Sequence, residues 1–95
     1  MKGTFTGVAS AFGSVEDGGI SYVRGGKNKV GLLTLDFGTG TVNLDVSMDG
    51  GSNWVTVDTY TADAAEKVQL PDIKAIYTLD CTVHSANIDY TLSGS

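Results

Sequence analysis

Thr41-Val42-Asn43-Leu44-Asp45-Val46-Ser47-Met48 puts Val42, Leu44, Val46 and Met48 at every second position, with Thr41, Asn43, Asp45 and Ser47 between them. Successive side chains leave a β-strand on opposite faces, so a period of two marks a strand with one face buried. The pattern recurs between Ala75 and Val83, where Tyr77, Leu79, Cys81 and Val83 alternate with Ile76, Thr78, Asp80 and Thr82. Ile88, Tyr90 and Leu92, set against Asn87, Asp89, Thr91 and Ser93, make a third instance. No window repeats apolar residues at helical spacing over three turns. The reading is all-β.

Working outward, Thr4 to Ser10, Ile20 to Arg24, Trp54 to Tyr60 and Lys67 to Leu70 read as shorter strands. Lys29 to Phe37 carries adjacent Leu32 and Leu33, which predicts a strand buried on both faces or interrupted by a bulge. Turn chemistry falls at Asp17-Gly18-Gly19, Gly25-Gly26-Lys27-Asn28, Gly38-Thr39-Gly40 and Asp49-Gly50-Gly51-Ser52-Asn53. Phe12 to Gly19 reads as a loop, and Thr61 to Glu66 as a single helical turn. The expected architecture is one domain, residues 1–95: an antiparallel β-sandwich or jelly roll of seven to eight short strands.

Ninety-five residues bury only a modest core, and such domains usually gain support from disulfides, a metal or association. Cys81 is the only cysteine, and no His/Cys cluster of zinc-site type is present, so association is the expected support. Thirteen glycines stand against one proline and two glutamates, a turn-rich composition. A net charge of −5 argues against nucleic acid and against anionic membranes as partners. No run approaches the length of a membrane-spanning helix. Met1-Lys2-Gly3-Thr4 leads into no apolar segment of signal-peptide type, so synthesis in a cytoplasm without export is expected.

No residue set reads as catalytic. His84 falls on the outward parity with Asp80 and Thr82 and lacks a nucleophile motif, so it reads as a surface histidine. Cys81 shares the parity of Leu79 and reads as a small buried hydrophobe. Asp45, Asp80 and Asp89 each take the polar parity of a strand. They offer a calcium site or an acid pair on a shared face, but a solvated polar face is the commoner outcome, and no metal or other cofactor is expected. Arg24, Lys27 and Lys29 form the one basic cluster, either a hairpin tip kept soluble or a contact for an acidic partner.

Ser47, Asp49, Gly50, Gly51 and Trp54 make the most distinctive segment, with glycines that turn a hairpin and an aspartate that can bond the amides across it. The order S-x-D-G-G-x-x-W resembles the Asp-box hairpin of several β proteins, with Asn53 where that motif has Thr or Ser. The resemblance implies a braced turn with the aromatic tucked beneath it. Trp54 is therefore expected buried or half-buried, the alternative being a sugar-stacking platform with Tyr60 and Tyr22.

Val46 to Trp54, Tyr60 to Asp63 (Y-T-A-D), Leu70-Pro71 and Tyr77 to Thr82 (Y-T-L-D-C-T) together resemble small β-sandwich proteins of tailed-bacteriophage virions, over roughly Asn43 to Leu92. The resemblance implies a non-enzymatic structural protein. Capsid decoration (cement) proteins, which bind the major capsid protein of the assembled shell, are the subgroup of this size, and trimers or dimers are expected because closed rings hide the edge strands of small β domains. A tail or fibre component, or a carbohydrate-binding module, is the alternative. The expected shell contacts are the N-terminal segment Met1 to Gly7 and the loop Ala9 to Gly19, with Phe5, Phe12 and Val15 as the apolar residues.

Overall fold

The computed structural model describes residues 2–10 and 22–94. Two long strands organise it. β4 (Val30–Ser47) and β7 (Ile76–Gly94) pair antiparallel from Gly31 opposite Gly94 to Ser47 opposite Ile76. The first part of β4 is flanked by β6 (Ala64–Gln69) and the second part by β5 (Val55–Tyr60). Beyond β7 lie β1 (Lys2–Phe5) opposite Ile88 to Thr91, β2 (Ala9–Ser10) opposite Asp80 and Cys81, and β3 (Val23–Arg24) opposite Ile76 and Tyr77. The result is a single seven-stranded antiparallel sheet, and no helix occurs among the described residues.

Midway along, the β4–β7 register shifts twice, at Thr39/Gly40 and at Thr41/Val42. The side chains record the slip. On β4 the buried positions are odd-numbered at Leu33 and Leu35 but even-numbered at Val42 and Leu44. On β7 they are odd at Leu79 and Cys81 and even at Ile88 and Leu92. An unpaired extra residue bends a strand and resets which face its side chains take. The two ends of the sheet thereby turn the same face inward, and Phe5, Leu33, Leu35, Val42, Leu44, Leu79, Ile88 and Leu92 join one core. The arrangement is compatible with a β-sandwich built by folding one sheet over.

Gly40 sits at the first shift with φ 154°, and a Cβ there would stand 2.2 Å from the Val83 carbonyl oxygen. Only glycine lets the backbones approach so closely. The Gly38-Thr39-Gly40 turn expected from sequence is therefore a bend inside a continuous strand. β7 likewise runs unbroken through His84 to Asn87, where a break between two strands was expected.

Other expectations change for equally local reasons. Thr61 to Glu66 forms no helical turn, because Ala64 to Gln69 pairs with Val30 to Leu35 as a sheet edge. Leu32 and Leu33 mark neither a doubly buried strand nor a bulge: Leu33 is fully buried and Leu32 is 49% exposed, ordinary alternation with an apolar residue outside. Lys2 to Phe5 is a paired strand rather than a free segment, and Phe5 is buried at 3% exposure with its ring 4.6 Å from that of Tyr90. Phe5 is a core residue, which removes it from the expected shell contacts. Phe12, Val15 and the Phe12 to Gly19 loop lie outside the described residues.

Candidate functional site

The hairpin between β4 and β5 is built around two side chains. Gly50 and Gly51 take φ of 77° and 102°, which turns the chain where a Cβ would be strained. Ser47, buried at the end of β4, donates its hydroxyl to Asp49 Oδ1 at 2.8 Å and accepts from the Gly51 amide at 2.9 Å. Asp49 Oδ1 also accepts from the amides of Ser52 (3.1 Å) and Asn53 (2.9 Å), and Oδ2 from Asn53 Nδ2 (2.6 Å). Asn53 thus serves as a donor at the position where the Asp-box pattern has a hydroxyl. Trp54 is half-buried, as expected, and donates its indole N–H to the Gly51 carbonyl at 3.0 Å. A Cβ built on Gly51 would meet Trp54 Cζ2 at 3.7 Å and Ile76 Cδ1 at 3.8 Å, which locates the indole beside the turn and next to β7.

Four hydrogen bonds to its carboxylate, those from Asn53 foremost, hold Asp49 down at a pKa of about 2, against 3.8 ordinarily. A folded pKa below the unfolded one means the ionised form stabilises the fold, fully above about pH 4, with loss as pH falls toward 2. Asp49→Asn is expected to lower the thermal midpoint at neutral pH, by an amount that shrinks as the pH approaches 2. A gap that stayed constant across that titration would show that the charge has no part in bracing the turn.

Among the described residues the three strand aspartates do not gather into one cluster. Asp45 and Asp80 belong to the end of the sheet nearest the hairpin, close enough that the Asp80 charge is felt at Asp45. Asp89 lies beyond both register shifts, opposite Asp36 and within 2.7 Å of the Thr4 hydroxyl that donates to it. Asp45 also departs from the solvated position expected: it is 6% exposed and accepts one hydrogen bond from Thr56 Oγ1 at 2.8 Å. Burial pushes its carboxyl above the usual range, aided by Asp80 and opposed by Thr56.

A raised folded pKa works in the opposite direction from that of Asp49: protonated Asp45 favours the fold, and the contribution disappears as pH rises through the folded value. Asp45→Asn, which keeps an acceptor for Thr56 and removes the buried charge, is expected to raise the thermal midpoint at neutral pH. Below pH 3.8 the two proteins converge. An unchanged or lower midpoint at neutral pH would contradict that assignment.

The aromatic residues weighed for sugar stacking sit on different elements: Tyr60 ends β5, Tyr22 precedes β3 and Trp54 follows the β4–β5 turn. Tyr60 is buried at 9% exposure, and its hydroxyl lies 2.5 Å from Glu66 Oε1 and 3.2 Å from Asp58 Oδ2, joining β5 to β6. Burial and the two carboxylates push its phenol far above its usual pKa. Tyr22 is half-buried and accepts from Arg24 Nη2 at 3.1 Å, with the guanidinium 5.4 Å from its ring centroid. Trp54 stands in a third place, at the hairpin. His84 is half-buried, and its Nε2 lies 3.1 Å from the Phe5 carbonyl oxygen, a contact between β7 and the end of β1. Cys81 is fully buried, as its parity implied, and burial raises its thiol pKa.

An open groove of about 620 Å³ runs over the far end of the sheet, lined by Thr4, Thr34, Asp36, Asp63, Asp89 and Thr91 among others. The Thr34 and Thr91 hydroxyls bond each other across β4 and β7, and Asp63 Oδ1 accepts from the Phe37 amide at 2.7 Å. Leu35, Ala64, Ala65 and Tyr90 also line it, and the fold itself engages two of its carboxylates, Asp63 and Asp89. Among the described residues no three or more His, Cys, Asp or Glu side chains gather to hold a metal ion.

Sequence reading missed two arrangements. Tyr60–Glu66–Asp58 depends on β5 and β6 flanking one long strand, which no local pattern announces. The joining of the two basic stretches depends on two loops that meet in space: the Gly25 amide donates to the Ala75 carbonyl at 2.8 Å, and the Gly26 amide to that of Leu70 at 2.7 Å. The isolated Gly25-Gly26 pair was the available signal, since a Cβ at Gly25 would lie 2.2 Å from the Asp72 carbonyl oxygen.

Comparison with protein-family models, with curated proteins and with solved structures gave no significant match.

Proposed function

We propose that this chain is a non-enzymatic structural protein of a tailed-bacteriophage virion, a capsid decoration (cement) protein that binds the assembled shell and stabilises it. The observation that carries the reading is where the phage-like segments fall. Val46 to Trp54 is the braced hairpin between β4 and β5, Tyr60 to Asp63 joins β5 to β6, Leu70-Pro71 leads out of β6, and Tyr77 to Thr82 lies in β7 beside β4. The resemblance thus falls on the turns and strands of one sheet, and that placement is what supports the reading. Its partner is the major capsid protein, its place the virion after synthesis in the host cytoplasm, and its own state a trimer or dimer. Many weak contacts repeated by shell symmetry then hold it through avidity. It needs no cofactor.

Co-sedimentation with assembled, undecorated capsids tests the proposal. Saturable binding at a fixed ratio to the capsid protein, with capsids more resistant to heat, is expected. Binding to isolated tails and not to capsids would replace it with the tail or fibre reading. The carbohydrate-binding alternative rests on Trp54, and the hydrogen bond from its indole to Gly51 favours a bracing role instead. Glycan binding lost in Trp54→Ala with an unchanged thermal midpoint would reverse that preference.

A further inference from the structure

Five of the six Lys and Arg residues of the chain occur in two stretches, Arg24 to Lys29 and Lys67 to Lys74, on a protein of net charge −5. These stretches lock together through Gly25 and Gly26, while Lys29 accepts the Leu70 amide on its carbonyl at 3.0 Å. We propose that this junction, with Arg24, Lys27, Lys29 and Lys74 on the loops that carry Ile73, is a docking surface for an acidic patch on another protein.

Three observations carry it. Ile73 is 68% exposed, the most exposed large apolar side chain among the described residues, and it occupies a turn with Lys74. An apolar anchor ringed by charge is the usual anatomy of a binding centre. The backbone beneath is fixed: besides the loop-to-loop bonds, Asp72 Oδ1 accepts the Lys74 amide at 2.7 Å, so the one acid in the turn is engaged locally. Arg24 is held against Tyr22 by a hydrogen bond of 3.1 Å, which lowers the entropy cost of ordering a long cation on binding. A shallow groove lined by Val30, Gly31, Leu32, Lys67 and Ser93 extends the same combination of apolar and cationic groups along the sheet.

Charge complementarity selects the partner. Charges act over about 8 Å at physiological salt, so a confined patch of acids meets the cations alone, whereas an extended polyanion laid across the protein also meets the acids that give it a net charge of −5. Nucleic acid and anionic bilayers are extended polyanions; a protein face can confine its acids to one patch and meet Ile73 with apolar atoms. This surface is distinct from the shell reading and stands whether or not a capsid is the partner.

The test is an amide chemical-shift titration of the intact chain with a short peptide of alternating glutamate and leucine, run beside oligothymidylate and phosphatidylserine vesicles. Shifts confined to residues 22–32 and 67–75 are expected, weakening as salt is raised. Affinity should fall about tenfold or more in K27E/K29E/K74E and severalfold in Ile73→Ser. Retained folding is checked by the thermal midpoint, and Ile73→Ser decides the matter if the triple variant fails to fold. No binding at low salt, shifts elsewhere, unchanged affinity in Ile73→Ser, or tighter binding of oligothymidylate or vesicles at this junction would each overturn the proposal. So would failure of the triple variant to weaken binding while folded. Capsid co-sedimentation is scored separately, so either reading can fail alone.

Discussion

Gly40→Ala is expected to destabilise the fold by roughly 3 kcal/mol or more, combining a backbone conformation disfavoured for L-residues with overpacking. The added methyl would stand 2.2 Å from the Val83 carbonyl oxygen and 3.1 Å from Ile88 Cδ1, and the φ of 154° is one that side-chain-bearing residues rarely adopt. The obstacle is backbone, so no side-chain rotation relieves it. To make room, β4 must draw away from β7 where both register shifts occur, and the two ends of the sheet would lose their common core. Stability is commonly about 5–15 kcal/mol, so such a loss is a large share of the total. Urea denaturation measures it. A variant within about 0.5 kcal/mol of the parent, the range of an ordinary surface change, would show that the bend does not require glycine.

The second large effect contrasts two neighbours of identical chemistry. Leu33 is fully buried and sits opposite Leu92 on β7, whereas Leu32 is 49% exposed. Leu33→Ala removes buried methyl groups and leaves a cavity, at an expected cost of about 2–5 kcal/mol. Leu32→Ala is expected to cost less than about 1 kcal/mol, since its side chain remains half in water. A strand slipped by one residue would exchange the two side chains between faces and invert the order of the effects. Denaturation midpoints of the two variants therefore report register directly, and equal losses would contradict the assigned pairing.

Much of the fold was legible because it is locally encoded. Alternation at Val42 and Leu44, at Tyr77, Leu79 and Cys81, and at Ile88 and Leu92 gave the strands and much of their inward faces, but Met48 and Val83 on the same parity are exposed, and Ser47, Ile76 and Thr78 on the other are buried. Asp49, Gly50 and Gly51 gave the hairpin, since turn geometry is a property of a few consecutive residues. What stayed hidden is long-range. Glycine marks turns and strand bends alike, so Gly38-Thr39-Gly40 could not announce that β4 continues through it. Parity alone placed Asp45 outside; its burial depends on neighbouring elements across the sheet rather than on its own strand. The Tyr60 contact with Glu66 required β5 and β6 to flank the same strand, and the basic junction required two loops distant in sequence to interlock. Phe5, which the sequence suggested as a surface anchor near a chain end, is a core residue because β1 pairs with β7.

These features give a physical sense to a small acidic scaffold. The interior is one core cluster supplied by a single sheet, the hairpin at Asp49 is braced by its own hydrogen bonds, and five of the six cations lie on two stretches tied together by backbone hydrogen bonds.

Native-state amide exchange bears most directly on the folded-over sheet from which the rest follows. Leu33 and Leu92 report one end, Leu44 and Leu79 the other, and both pairs share one core. A single cooperative sheet predicts that all four amides exchange with the same opening free energy, equal to that of global unfolding. Protection lost at one pair while the other stayed closed would mean two separate sheets, and would contradict a fold built by bending one.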